Sequence, residues 1–63
     1  MTKWELLARF LELKAEDAKL TARLWETDPE KFGADAASIA EENGMKAAFA
    51  SAAALVREAV KDD

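Results

Sequence analysis

Between Trp4 and Trp25, apolar residues recur in steps of three and four without losing phase, and such spacings share a face only on an α-helix. One stripe runs Leu6, Phe10, Leu13, Asp17, Leu20, Leu24; a second runs Trp4, Leu7, Leu11, Ala15, Ala18, Ala22, Trp25. The stepping is read as placing both on adjoining parts of one broad apolar face. Thr2, with Glu5 three residues later, has the form of a capping box, so the helix is expected to start at Lys3. Asp17 interrupts the first stripe. It leaves two readings open: one long helix, or a break near residues 15–17 with Asp17 capping a second helix from Ala18.

Asp28-Pro29-Glu30 marks a clearer boundary. Asp28 suits an N-cap, Pro29 the first helical position and Glu30 the positive end of the helix dipole. A helix is expected to restart at Pro29, with Phe32, Ala36, Ile39 and Ala40 on its apolar face. It is expected to stop at Glu41-Glu42-Asn43-Gly44, with Gly44 in the left-handed C′ position. Gly33 then falls inside that helix, at a cost of about 1 kcal/mol relative to Ala. The last segment, 46–60, reads as a third amphipathic helix with Met45, Phe49, Ala52, Val56 and Val60 along one face and Ala48, Leu55 and Ala59 beside it. The fold class expected is all-α: a small bundle of three helices, or four if the first breaks near Asp17.

Size limits what such a bundle can do. Fifteen of the apolar residues are alanine, which leaves 17 larger side chains for a core in a chain of 63 residues. A core of this kind rarely supplies more than roughly 3–5 kcal/mol. The chain has no His, Cys or Tyr, so it lacks the usual general base near neutral pH, a thiol nucleophile and the soft metal ligands. Its net charge of −4 has the wrong sign for a domain that neutralises phosphates. An acid at Glu5 argues against a signal peptide, and the longest apolar run, 52–56, is far below the roughly 20 residues that span a bilayer. These features together read as a cytoplasmic chain with no direct nucleic-acid or membrane partner.

No residue is assigned a catalytic, cofactor or metal role. The carboxylates are scattered over helix surfaces; Glu41 and Glu42 are sequence neighbours and so diverge by about 100° around a helix. No calcium-loop pattern occurs, and Thr2, Thr21, Thr27, Ser38 and Ser51 have no histidine to activate them. The lysines are interspersed with acids, as on a solvated face. Trp4 and Trp25 stand out, because a thin core can hardly enclose two indoles. Rim packing accounts for either; Trp25, next to the Thr27-Asp28 turn, is also suited to anchoring a partner protein.

The order of these features is more specific than any one of them. Phe10-Leu11, Asp17, Leu20 and Leu24 precede the Asp28-Pro29-Glu30 restart, and Phe32, Ala36 and Ile39-Ala40-Glu41-Glu42-Asn43-Gly44-Met45 follow it. In this the chain resembles the Nif-eleven-type leader peptides, helical leader domains of ribosomally made, post-translationally modified peptide precursors. The resemblance covers Trp4 to about Met45. It implies a non-catalytic leader that docks on peptide-modifying enzymes acting at or beyond its C-terminal end. Phe10, Leu11, Leu20, Leu24, Phe32, Ala36, Ile39 and Gly44 match the family's apolar pattern, with Phe10, Leu20 and Ile39 expected in the core. The chain departs from the family at Met45-Lys46-Ala47, where an aromatic residue is usual, and in having no Cys-, Ser- or Thr-rich core peptide after that point.

The expectation is therefore a single leader-like domain, 1–63, with 61–63 a flexible tail. Trp25, Leu24, Phe32 and Met45 are expected to bind the partner. If the chain resembles the leader-like scaffolds extended by a tRNA-dependent ligase, Asp63 is the attachment point. The reading from a different class is a small self-associating helical module, an antiparallel homodimer burying the Trp4/Leu7/Leu11 stripe.

Overall fold

The computed structural model describes residues 2–61, and among them every regular element is helical. Three helices follow in order: α1 (Lys3–Thr27), α2 (Pro29–Phe32) and α3 (Ala36–Lys61). Helix α1 starts where the capping signal puts it. The Glu5 amide donates to Thr2 Oγ1 at 3.2 Å, and the Thr2 hydroxyl donates to Glu5 Oε1 at 3.3 Å. Glu5 thus reaches back to the hydroxyl of its capping residue.

Helix α1 runs unbroken through Asp17, which settles the open alternative in favour of three helices. An aspartate inside a helix costs well under 1 kcal/mol, less than the loss of the packed face that continues on either side of it. The helix ends with its carbonyls occupied: the Asp28 amide donates to the Leu24 carbonyl at 3.2 Å, and the Thr27 hydroxyl donates to the Arg23 carbonyl at 2.8 Å.

Asp28 then caps α2 as expected, its Oδ1 accepting from the Lys31 amide at 3.3 Å with Pro29 in the first turn. The helix that follows is a single turn. Gly33 adopts φ +63, and its amide and that of Ala34 donate to the carbonyls of Glu30 (3.3 Å) and Pro29 (2.9 Å). This is a Schellman termination with Gly33 at C′. The expected helix from Pro29 to Gly44 is therefore replaced by two elements, and the glycine that stops a helix is Gly33. Asp35 caps the next one: its Oδ1 accepts from the Ser38 amide at 2.7 Å. That amide, chiefly, holds the Asp35 carboxyl below its usual range.

Gly44 lies within α3, which continues to Lys61; Gly33 alone among the described residues has positive φ. The physical reason is phase. Ile39, Glu42, Lys46, Phe49, Ala53, Val56 and Val60 advance by alternate steps of three and four straight across Gly44, and all are half-buried or buried. The segments expected to be two helices share one buried face, and a break at Gly44 would misalign its halves. Lys61, expected in a tail, is the last residue of α3. Asp62 and Asp63 lie outside the described residues.

Helices α1 and α3 form an antiparallel hairpin. Asn43 Nδ2 donates to Glu26 Oε1 at 3.4 Å, and Arg57 pairs with Glu12. These contacts lie fourteen residues apart on both helices, so two heptads of α1 match two of α3 with no slippage. The fully buried core consists of alanines: Ala8, Ala18, Ala22 and Ala53, at 0–4% exposure. Ala8, Ala15 and Ala22 recur every seven residues along the inner face of α1, where small side chains let the helices approach closely.

The broad apolar face expected on α1 is not buried as a whole. At about 100° per residue the two stripes are centred roughly 135° apart around the helix, too far apart for one partner helix to cover both. Helix α3 covers the inner stripe from Leu11 to Trp25 and leaves Trp4 and Leu7 exposed at its start. The outer one stays open, with Leu6, Phe10, Leu13, Leu20 and Leu24 at 49–57% exposure. Phe10 and Leu20, expected in the core, are on the surface; Ile39 is half-buried. The molecule measures 47 × 17 × 12 Å, with a radius of gyration of 14.3 Å, against about 10.6 Å for a compact domain of this length.

Candidate docking surfaces

Leu24, Trp25, Phe32 and Met45 all belong to the closed end of the hairpin. Leu24 and Trp25 are in the last turns of α1, Phe32 ends α2, and Met45 is on the stretch of α3 that the Asn43–Glu26 contact ties to the end of α1. Leu24, Phe32 and Met45 are exposed, whereas Trp25 continues the inner face of α1 and is half-buried. The two caps and the Gly33 turn fix the path of the chain here. Lys31 Nζ sits 5.6 Å from the centre of the Phe32 ring, close enough for a cation–π contact.

The open end carries a second apolar surface, which the sequence patterns did not single out. A shallow groove of ≈ 410 Å³ is lined by Trp4, Leu55, Val56, Ala59 and Val60. Leu55 is 72% exposed. The signal was present, because Leu55 falls off the three-and-four stepping that carries Val56 and Val60 inward. Trp4 is half open at the rim, with Lys3 Nζ 5.5 Å from its ring.

Between the two ends, Arg57 makes a bidentate pair with Glu12: Nε donates to Oε2 and Nη2 to Oε1, both at 2.7 Å. Those hydrogen bonds hold the Glu12 carboxyl below its usual range and raise the Arg57 guanidinium. The pair is solvent-exposed, so it sets the register of the hairpin more than its stability. Glu12 and Asp35 both have folded-state pKa values depressed below the ordinary carboxylate values of 4.5 and 3.8. Their stabilisation is complete above those values and is lost as pH falls through the folded ones. The thermal midpoint should thus decline on acidification below about pH 4.5, and Glu12→Gln should flatten the upper part of that decline in circular-dichroism melts. A midpoint that rises in acid would contradict both assignments.

No group of three or more acidic side chains suited to holding a metal ion occurs among the described residues, and no helix among them is long and apolar enough to cross a membrane. Asp63, the expected attachment point, lies outside the described residues. No protein-family model matches the chain, and the searches of curated proteins and of solved structures yield no match. The class that fold and surfaces define is an alanine-packed helical hairpin with ten of its large apolar side chains exposed.

Proposed function

We propose that this protein is a non-catalytic docking peptide: a leader or scaffold of ribosomal natural-product biosynthesis that presents its C-terminal side to modifying enzymes in the cytoplasm. The observation that supports this is the closed end. Three large apolar side chains, Leu24, Phe32 and Met45, are held outward on capped, well-ended helices, although burying them would strengthen a core made of alanine. Exposed anchors on a rigid scaffold suit recognition, since binding then orders little further chain. The order of motifs shared with Nif-eleven-type leaders supplies the partner class: an enzyme that acts on residues near or beyond the end of α3, by tRNA-dependent addition of an amino acid or by later tailoring.

The test is coexpression with candidate enzymes encoded near this gene, followed by intact mass measurement and fragmentation. A mass gain on the C-terminal side of α3 is expected. An unchanged mass with each of those enzymes would overturn the reading. Phe32→Ala should weaken capture by the responsive enzyme about tenfold or more while leaving helicity unaltered, because the ring contributes little to the hairpin core. Trp25→Ala is a less selective probe, since its half-buried indole contributes to the fold as well.

A further inference from the structure

We infer that the outer face of α1 is a homodimer interface, on which a second copy of this chain packs antiparallel through Leu6, Phe10, Leu13, Asp17, Leu20 and Leu24. The inference does not rest on the leader reading, although Leu24 belongs to both surfaces and cannot serve both at once. It starts from surface area. A compact monomer of 6.9 kDa exposes about 4,000 Å²; this chain exposes 4715 Å². The excess, about 700 Å², is close to the roughly 800 Å² that each partner loses in a standard interface. The five half-open side chains of the stripe together expose roughly 500 Å², and a symmetric pair that covered all of them would bury about 1,000 Å² before flanking residues are added. That is the lower limit for a specific dimer.

The spacing suits a second copy of the same helix. Positions 6, 10, 13, 17, 20 and 24 step by four, three, four, three and four, a series that reads the same in reverse. Two antiparallel copies therefore place Leu6 opposite Leu24, Phe10 opposite Leu20, and Leu13 opposite Asp17, with apolar side chains meeting at heptad spacing along the seam. Asp17 chooses the direction. A parallel pair would set the two Asp17 carboxylates against each other in the seam, whereas the antiparallel pair sets each beside Leu13 and Lys14 of the second copy. At the rims Lys14 meets Lys14 and Glu16 meets Glu16. Salt that screens these like charges should tighten the dimer.

Sedimentation velocity of the full chain across a wide concentration range should show a monomer–dimer equilibrium that shifts toward the dimer with added salt. The double variant Leu13→Glu, Leu20→Glu should weaken association at least about 30-fold with helicity retained, since both side chains already lie in solvent. Leu55→Glu, on the open-end groove, should leave association intact. Mixing Leu6→Cys and Leu24→Cys copies under mild oxidation reports the register without a disruptive charge: disulfides should join the two variants to each other. A chain that stays monomeric at millimolar concentration, a dimer insensitive to the double charge variant, or Leu6→Cys copies that crosslink mainly among themselves would overturn the proposal.

Discussion

Ala18→Leu is expected to lower the thermal midpoint of the hairpin by about 10 °C or more. Ala18 is 4% exposed and lies between Ala15 and Ala22 on the face that α3 covers, so three extra heavy atoms have nowhere to go unless the helices part. Overpacking of this kind costs about 1–3 kcal/mol, a large share of the roughly 3–5 kcal/mol available to a core of this size. Each kcal/mol moves the midpoint of a small domain by about 4–8 °C. Ala47→Leu is the matched control, since Ala47 is exposed on α3, and its midpoint should hardly move. Equal midpoints for the two variants would mean that the alanines do not form the contact between the helices. The result should be read at low protein concentration, where self-association adds nothing to stability.

Gly33→Ala and Gly44→Ala should shift stability in opposite directions. At Gly33 the backbone has φ +63, a conformation that costs an L-residue about 1–2 kcal/mol, so alanine there destabilises the turn between α2 and α3. At Gly44 the backbone is helical and a Cβ would meet nothing within 4 Å. Alanine there should add about 1 kcal/mol through helix propensity alone. The two variants should therefore melt about 10 °C apart, Gly44→Ala higher. The reverse order would restore the helix stop at Gly44 that the Glu-Glu-Asn-Gly pattern suggests. A stabilised Gly44→Ala chain would also show that the glycine has no structural role within the monomer; nothing in the hairpin explains its presence.

The outward leucines and inward alanines have a common consequence. Alanine contacts bring the helices close but remove little apolar area from water, at about 25 cal/mol for each Å², and many of the larger side chains that could contribute more lie on the open side of α1 or at the two ends. Stability and recognition are thereby coupled: whatever covers Phe10, Leu13 and Leu20 adds to folding what the core withholds.

Local signals carried much of this structure. The Thr2–Glu5 pair, the Asp28–Pro29 restart and the unbroken stepping from Trp4 to Trp25 act within a few residues of themselves, and each is where its chemistry requires. Asp35, two residues past Gly33, was an equally local cap, but Gly44 competed with Gly33 for the role of helix stop. Only the face shared by Ile39, Phe49 and Val56 with α1 decides between the two glycines. The candidate docking residues divide in the same way. That Phe32 and Met45 are large and apolar is evident from the chain alone, as is the angle of roughly 135° between the stripes of α1, but their exposure follows from which face of α1 the second long helix selects.

Sequence alone determined that this chain is helical, where its first helix begins and how its first connection starts, because capping, proline geometry and periodicity are properties of neighbouring residues. Tertiary structure decided that the alanine face is the inside, that Gly33 and not Gly44 turns the chain, and that the leucine face of α1 is left open. Both stripes of α1 step by threes and fours, and only the close approach that alanine permits to α3 distinguishes the face that packs from the face left open.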